Sequence, residues 1–196
     1  MRLILVRHGE TQENLKRIIQ GQTLHGRLTK KGKIQSKKVA QRLKIEKIDV
    51  IFSSDSGRAK ATAFEILKKN KVPVFYRKEL REIHRGAFEG KVRSGDYEDL
   101  AKKIFHNHSV KFPEGESVSD VKKRASKFLR MLHKKYHNKT VVLVSHAGFF
   151  RILVYLLDNK IDLTNFPISN ASLSIIEFDE DKRHKFHLIN DTSHLN

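Results

Sequence analysis

The chain has 196 residues, no cysteine and a formal net charge of +18. This length suits one well-filled hydrophobic core, and a hydrophobic fraction of 38% argues against a disordered chain. The lack of cysteine excludes disulfide bonds, cysteine metal ligands and a cysteine nucleophile.

Apolar runs typical of buried strands alternate with helical patterns in the first half of the chain. Strands are predicted over residues 2–6, 49–54 and 72–77, with helices over residues 28–44 and 56–69 between them. Thr29 is expected to be the N-cap of the first helix, and Ile34 to lie on its apolar face. A polar loop that contains glycine is predicted over residues 80–100.

The same alternation continues to the end of the chain. Helices are predicted over residues 119–137 and 148–158, and strands over residues 140–146, 171–180 and 185–191. The pattern predicts a three-layer α/β/α fold with a mostly parallel central sheet. No linker divides it, so we expect a single domain over residues 1–196, with a small helical cap or insertion at about residues 85–118.

Residues that carry chemistry follow the predicted strands. Two strands end in histidine, at His8 in "LILVRHG" and at His146 in "VVLVSHAG", and a third leads into a helix whose first turn holds Arg58. The polar loop supplies Glu82. Because the carboxyl ends of parallel strands meet at one edge of a sheet, we expect these side chains to share a site.

These residue types suit phosphoryl transfer. The guanidinium groups of Arg7 and Arg58 can bind phosphate oxygens in pairs. A neutral imidazole can attack phosphorus when its other nitrogen is held by a hydrogen bond, and a nearby carboxyl group can protonate the leaving alkoxide. No acidic cluster suggests a metal site.

Each of these residues alone also fits an ordinary structural role. A histidine at a strand end is often a surface residue, Arg58 could lie on a helix surface, and Glu82 could offset nearby basic charge. Because all of these residues are expected at one edge of the sheet, a shared functional site is favoured. His25 and His84 are expected to lie close enough to line it, and most of the other histidines to be exposed.

The ordered set of motifs resembles the histidine phosphatase superfamily, also called phosphoglycerate mutase-like, over essentially the whole chain. "LVRHGET" matches the signature in which the histidine is transiently phosphorylated. "SSDSGRAKATA", "LREIHRGAFEG" and "VVLVSHAGFFRIL" resemble the segments of the second arginine, the acid and the second histidine. The acid segment is most similar to that of the broad-specificity phosphatase branch.

The resemblance implies a role for each matching residue. His8 would be the nucleophile and Glu82 the proton donor, while Arg7, Arg58 and His146 would form the phosphate pocket with the backbone N–H of Ala147. Substrate-contacting positions correspond to Asn14, Gln20 and Gly21. Ala147 stands where the family often has glycine, a change that keeps the backbone N–H.

The implied activity is hydrolysis of phosphomonoesters on small phosphorylated metabolites, without a metal or other cofactor. The alternative is a phosphoglycerate mutase, which would need a 2,3-bisphosphoglycerate primer. Mutases of this family are typically longer after the acid segment, where this chain has only about residues 91–112, so the phosphatase is favoured. A non-catalytic, polyanion-binding relative is a further alternative, against which the intact set of site residues argues.

The charge and apolar runs indicate which partners to expect. Lysines are spread along the chain without interleaved aromatic residues, which favours solvated helix faces over a specific nucleic-acid site. No apolar run approaches a membrane span or a signal peptide. We therefore expect a cytoplasmic monomer or homodimer that binds no membrane.

Overall fold

Six strands form one mixed sheet in a structure, a computed structural model, that describes residues 1–196. They are β1 (Arg2–Arg7), β2 (Val50–Ser54), β3 (Val74–Arg77), β4 (Thr140–Ser145), β5 (Leu173–Phe178) and β6 (His184–Asp191). Their order across the sheet is β3-β2-β4-β1-β5-β6. The strands β3, β2, β4 and β1 are parallel, whereas β5 is antiparallel to β1 and β6 to β5.

Helices cover both faces of this sheet. They are α1 (Gln12–Leu15), α2 (Lys30–Arg42), α3 (Gly57–Asn70), α4 (Gly95–His106), α5 (Val118–Tyr136) and α6 (Ala147–Leu157). Successive side chains of a strand point to opposite faces. In β1, Leu3 and Leu5 pack in the core with α5 and α6, whereas Ile4 and Val6 pack in the core with α2 and α3. The predicted three-layer α/β/α fold is confirmed.

Helix α2 begins where the sequence predicts, but one residue predicted for its apolar face lies elsewhere. The Thr29 hydroxyl accepts a hydrogen bond from the backbone N–H of Gly32 at 2.8 Å, so Thr29 is the N-cap. Ile34 is 55% exposed, and its prediction as a core residue is wrong. The buried side of α2 carries Ser36 and Val39, and a rotation of about 100° per residue places Ile34 on the opposite side from Ser36.

The loop predicted over residues 80–100 ends too late. Helix α4 begins at Gly95, where the Ser94 hydroxyl caps it by accepting a hydrogen bond from the backbone N–H of Tyr97. Tyr97, Ile104 and Phe105 are its buried residues, and they give the segment an apolar side that the loop prediction overlooked. The assignment of residues 85–118 as a cap within a single domain stays a prediction.

None of the six helices combines the length and the apolar character that a bilayer-spanning helix requires.

Replacement of Leu132 by alanine tests the core beneath α5. Leu132 is fully buried there, so Leu132→Ala is expected to lower the free energy of unfolding by about 2–5 kcal/mol. Urea denaturation followed by circular dichroism measures this change. Arg130→Ala, at an exposed position of the same helix, is the matched control and should change stability by about 0.5 kcal/mol or less. Equal losses in both variants would contradict the packing described here.

Candidate active site

Strand register brings the two strand-end histidines together. Arg7 of β1 pairs with Ser145 of β4, so His8 and His146 leave neighbouring parallel strands at the same level. Their ring centroids are 5.2 Å apart in an edge-to-face arrangement. This confirms that the topology brings the two histidines to one edge of the sheet.

His8 is held in one orientation by its neighbour in the chain. It is only 3% exposed, and its Nδ1 lies 2.8 Å from the carbonyl oxygen of Gly9. A carbonyl can only accept, so Nδ1 carries the proton and the lone pair of a neutral ring is on Nε2. Burial, and then the charges of Arg58 and Arg7, hold the pKa of His8 well below its usual value. His8 is therefore an oriented, neutral imidazole.

Arg58 lies in the first turn of α3 and is almost completely buried, at 1% exposure. Its guanidinium donates to carbonyl oxygens of one loop: Nη2 to Gly21 at 2.8 Å, and Nη1 to Thr23 at 3.0 Å and to His25 at 3.3 Å. It forms no ion pair with a carboxylate. Burial lowers the pKa of Arg58 to about 10, so the group still carries its positive charge at neutral pH.

Arg7, at the end of β1, adds a second guanidinium to the same cavity. Its Nη1 donates to the carbonyl oxygen of Ile168 at 2.6 Å, and its Nε is buried without a hydrogen-bond partner. Burial lowers its pKa to about 10, partly offset by the charge of Glu82. The free N–H of a charged group is a donor that suits an anion.

His146 connects Arg58 to the end of β2. Its Nδ1 accepts a hydrogen bond from Nε of Arg58 at 3.3 Å, so its Nε2 carries the proton and donates to the Ser54 hydroxyl at 3.0 Å. Burial, and next the charge of Arg58, hold the pKa of His146 well below its usual value. Both histidines are therefore neutral, and the positive charge of the site resides on arginine.

Glu82 is fixed at the N-terminus of α6. Its Oε2 accepts the backbone N–H of Gly148 at 2.9 Å, while Oε1 accepts those of Phe149 at 2.9 Å and Ile83 at 2.8 Å. A Cβ atom at position 148 would lie 2.5 Å from Oε1 of Glu82, so a side chain there would displace the carboxylate from this place. Arg124 of α5 donates to the carbonyl oxygen of Glu82 and holds the segment in place.

All nine residues predicted for the site line one cavity of about 340 Å³. They are Arg7, His8, Asn14, Gln20, Gly21, Arg58, Glu82, His146 and Ala147. Two of them also shape the cavity wall. Asn14 accepts hydrogen bonds from the backbone of Thr11 and from Asn170, and Gly21 adopts a positive φ of 46° that favours glycine. Their contacts with a substrate stay predictions.

Several residues that line the cavity were not predicted from the sequence, and two residues that were expected to line it do not. The missed polar residues are Glu13, Arg17, Arg85, Arg93, Tyr97, Arg151 and Asn170. Arg85 stands three residues after Glu82, and that proximity was a usable signal; the others come from segments whose sequence shows no pattern of a site. His25 and His84 do not line the cavity, so that expectation was wrong: His25 contributes only its carbonyl oxygen to Arg58, and His84 faces Glu89.

No group of three or more histidine, aspartate or glutamate side chains is arranged to hold a metal ion. The cavity lining is instead rich in guanidinium groups, six in all, beside the two buried imidazoles. Such a lining can bind a phosphoryl group and stabilise the charge that develops on it during transfer.

Comparison with known proteins agrees with this geometry. The family model of the histidine phosphatase superfamily, branch 1, matches residues 3–192. Phosphoserine phosphatase 1 of Hydrogenobacter thermophilus is 36% identical over all of this chain and 94% of its own length. Phosphoglycerate mutase-like protein 4 of Arabidopsis thaliana is 32% identical over 98% of this chain and 86% of its own.

Among solved structures, a variant of phosphoserine phosphatase from Entamoeba histolytica in complex with phosphoserine is similar to this chain. It superposes with a TM-score of 0.85 at 30% identity, over 100% of this chain and 99% of that one. The likeness therefore extends over the whole chain.

The lowered pKa values of the two buried histidines predict a loss of stability in acid. As the pH falls below about 6.5, the unfolded chain binds protons at these residues before the folded chain does, so the free energy of unfolding decreases. Each contributes a slope of up to about 1.4 kcal/mol per pH unit. Urea denaturation between about pH 7 and pH 5 should give a shallower slope for His8→Gln than for the wild type.

A control separates this effect from general destabilisation. Ser36→Ala removes a buried hydroxyl without removing a titratable group, and it should keep the wild-type dependence on pH. Identical slopes for the wild type and His8→Gln would contradict a neutral, buried His8.

Proposed function

The chain belongs to the histidine phosphatase superfamily and is a phosphomonoester hydrolase, and we propose that His8 carries the phosphoryl group between the two halves of its reaction. The observation that supports this most strongly is the state of His8: neutral, buried, held by Gly9 through Nδ1, and placed among arginines with Nε2 unprotonated. A neutral imidazole with a fixed lone pair is the form that can attack phosphorus.

In the first step, Nε2 of His8 attacks the phosphorus atom in line with the ester oxygen. The P–N bond forms as the P–O bond to the alcohol breaks, and the Glu82 carboxyl group donates a proton to the departing oxygen. The His8 ring becomes positively charged and keeps its proton on Nδ1. The Gly9 carbonyl, 2.8 Å away, stabilises that charge.

In the second step, water attacks the phosphohistidine. The Glu82 carboxylate takes a proton from the water, the P–N bond breaks, and inorganic phosphate leaves while His8 returns to its neutral form. The same carboxyl group serves both steps because it lies at a fixed place, held by three backbone N–H groups.

The arginines stabilise the transferring group. Arg7 and Arg58 supply charge where kinases use magnesium, and both line the cavity beside His8. We assign His146 to the same phosphate pocket as a positioning residue, because its Nδ1 accepts the Nε–H of Arg58 and keeps that guanidinium oriented. We propose that turnover requires neither a metal nor another cofactor.

The substrates we propose are small phosphorylated metabolites. The cavity of about 340 Å³ accommodates a small ester and not a folded macromolecule. The lysines are spread along the sequence without interleaved aromatic residues, so we propose no specific nucleic-acid partner. A cytoplasmic location and a monomeric or homodimeric state stay predictions from the sequence.

Phosphoglycerate mutase activity is the second candidate. It is favoured by the 32% identity to phosphoglycerate mutase-like protein 4, and the same cavity could return the phosphoryl group to another oxygen of a glycerate. A mutase would require a bisphosphoglycerate primer and would release little phosphate. Incubation with 3-phosphoglycerate, with and without primer, separates isomerised product from inorganic phosphate.

Substitution of the nucleophile provides the test. His8→Ala should lower the hydrolysis of 4-nitrophenyl phosphate in EDTA by at least about three orders of magnitude, and a wild-type reaction quenched in alkali, where the P–N bond is stable, should yield a phosphorylated peptide that contains His8. Glu82→Gln should slow turnover while still permitting phosphorylation from this good leaving group. His137→Ala changes an exposed histidine at the C-cap of α5; it is the matched control and should retain wild-type activity. Turnover that survives in His8→Ala would refute the assignment.

A further inference from the structure

The chain around Glu82 is held by side chains that the proposed reaction does not use. Residues 79–84 are here called the Glu82 segment. Apart from one short helical turn over Lys78–Leu80, this segment has no regular secondary structure. Its backbone groups therefore depend on side chains from elsewhere in the molecule for their hydrogen bonds, and those side chains decide where the Glu82 carboxyl group lies.

Arg124 of α5 contacts this segment with most of its donors. An arginine side chain has five N–H groups. Nη1 donates to the carbonyl oxygens of Glu79 at 2.8 Å and Arg81 at 2.7 Å, and Nη2 donates to that of Glu82 at 3.0 Å. The two remaining N–H groups, on Nε and Nη2, donate to the carboxylate of Glu116 at 2.9 Å and 3.0 Å. One guanidinium therefore fixes three carbonyl groups, including that of Glu82 itself.

Glu116 holds the chain on the other side of Glu82. Its Oε2 accepts the backbone N–H of His84 at 2.9 Å, and its own backbone N–H donates to the His84 carbonyl oxygen at 3.0 Å. The same Oε2 accepts a hydrogen bond from Nε2 of Gln22 at 3.1 Å. The side chains of Arg124 and Glu116 are only 16% and 22% exposed. A single, largely shielded ion pair thus binds the chain both before and after the proton donor.

Arg124 also contacts the helix terminus that binds the Glu82 carboxylate. Its guanidinium carbon lies 5.2 Å from the ring centre of Phe149, a fully buried residue in the first turn of α6. The backbone N–H of Phe149 is one of the donors to Oε1 of Glu82, at 2.9 Å. Loss of Arg124 would leave both the Glu82 backbone and this terminus less constrained. Proton transfer is sensitive to such a shift because it requires hydrogen-bond reach, about 2.6–3.2 Å between heavy atoms.

We propose that Arg124 and Glu116 are positioning residues for proton donation: together they fix the Glu82 carboxyl group at the place from which it protonates the departing oxygen. The inference rests on the proposed function and extends it to two residues that do not line the cavity. Neither is placed to contact the substrate, so both act through Glu82. Their removal should therefore affect substrates according to how much the leaving group needs a proton.

Two substrates of similar shape provide the test. The 4-nitrophenolate ion departs readily without a proton, whereas phenolate is a stronger base and depends more on a general acid. In Arg124→Gln, kcat/KM for phenyl phosphate should fall by about tenfold or more, and that for 4-nitrophenyl phosphate by no more than about twofold. An equal fall for both substrates, the result of a merely structural role, would overturn the proposal. Lys127→Gln, at an exposed position of α5, is the matched control and should change neither value.

Two further variants separate geometry from charge. Arg124→Lys keeps the positive charge, but one ammonium group cannot bind Glu116 and three carbonyl groups at once. It should therefore lower kcat/KM for phenyl phosphate selectively, as Arg124→Gln does, and wild-type values for both substrates would overturn the positioning role. Glu116→Gln keeps the shape of its side chain and breaks the ion pair from the other side. It should give the same selective loss even if Arg124→Gln does not fold, and an unselective loss would count against the proposal.

The variant Glu82→Gln distinguishes failure of this inference from failure of the proposed function. Alone, it should lower kcat/KM for phenyl phosphate much more than that for 4-nitrophenyl phosphate, and equal losses would refute Glu82 as the proton donor. Addition of Arg124→Gln to Glu82→Gln should leave the ratio of the two values unchanged, because Arg124 acts through a carboxyl group that is no longer there. A further selective loss in the double variant would overturn only this inference.

Discussion

The buried guanidinium of Arg58 is the interaction on which the rest of the site depends. It is almost fully buried, and each of its contacts is with a neutral acceptor: the carbonyl oxygens of Gly21, Thr23 and His25, and Nδ1 of His146. These bonds make the group part of the fold without neutralising it. A positive charge that is solvated by carbonyl dipoles, and not by a carboxylate, remains available to an anionic ligand.

The protonation of the two histidines depends on burial and on this charge. Burial, and next the charge of Arg58, oppose protonation of His8 and His146, so both rings stay neutral at neutral pH. The Gly9 carbonyl then decides which nitrogen of His8 keeps its proton. Different residues therefore carry out the two tasks of the site: arginines bind the phosphate, and an uncharged imidazole attacks it. A protonated histidine would have no lone pair for the attack. This arrangement brings the like charges of the arginines together, which is unfavourable. The sheet edge and the backbone carbonyls hold the arginines in place.

The strands, the histidines at their ends and the main helices could be predicted, because buried strands and capped helices have local sequence patterns. The register of β1 and β4 could be anticipated, since parallel strands place their carboxyl ends at one edge. Helix α4 was missed over its first residues because Ser94, Gly95 and Asp96 look like a loop when Tyr97 is not recognised as buried. Glu13 was not predicted for the cavity because its segment shows no sequence pattern of a site, whereas Arg85 could have been predicted from its proximity to Glu82.

A measurement of the protonation state of His8 tests this account most directly. Long-range proton–nitrogen NMR correlations of the histidine rings, assigned by comparison with His8→Gln, report the state of each ring nitrogen. We predict that His8 is still neutral at pH 6.5, where an ordinary histidine is half protonated, with the proton on Nδ1 and the lone pair on Nε2. A ring that is doubly protonated near pH 6.5, or that carries its proton on Nε2, would contradict it.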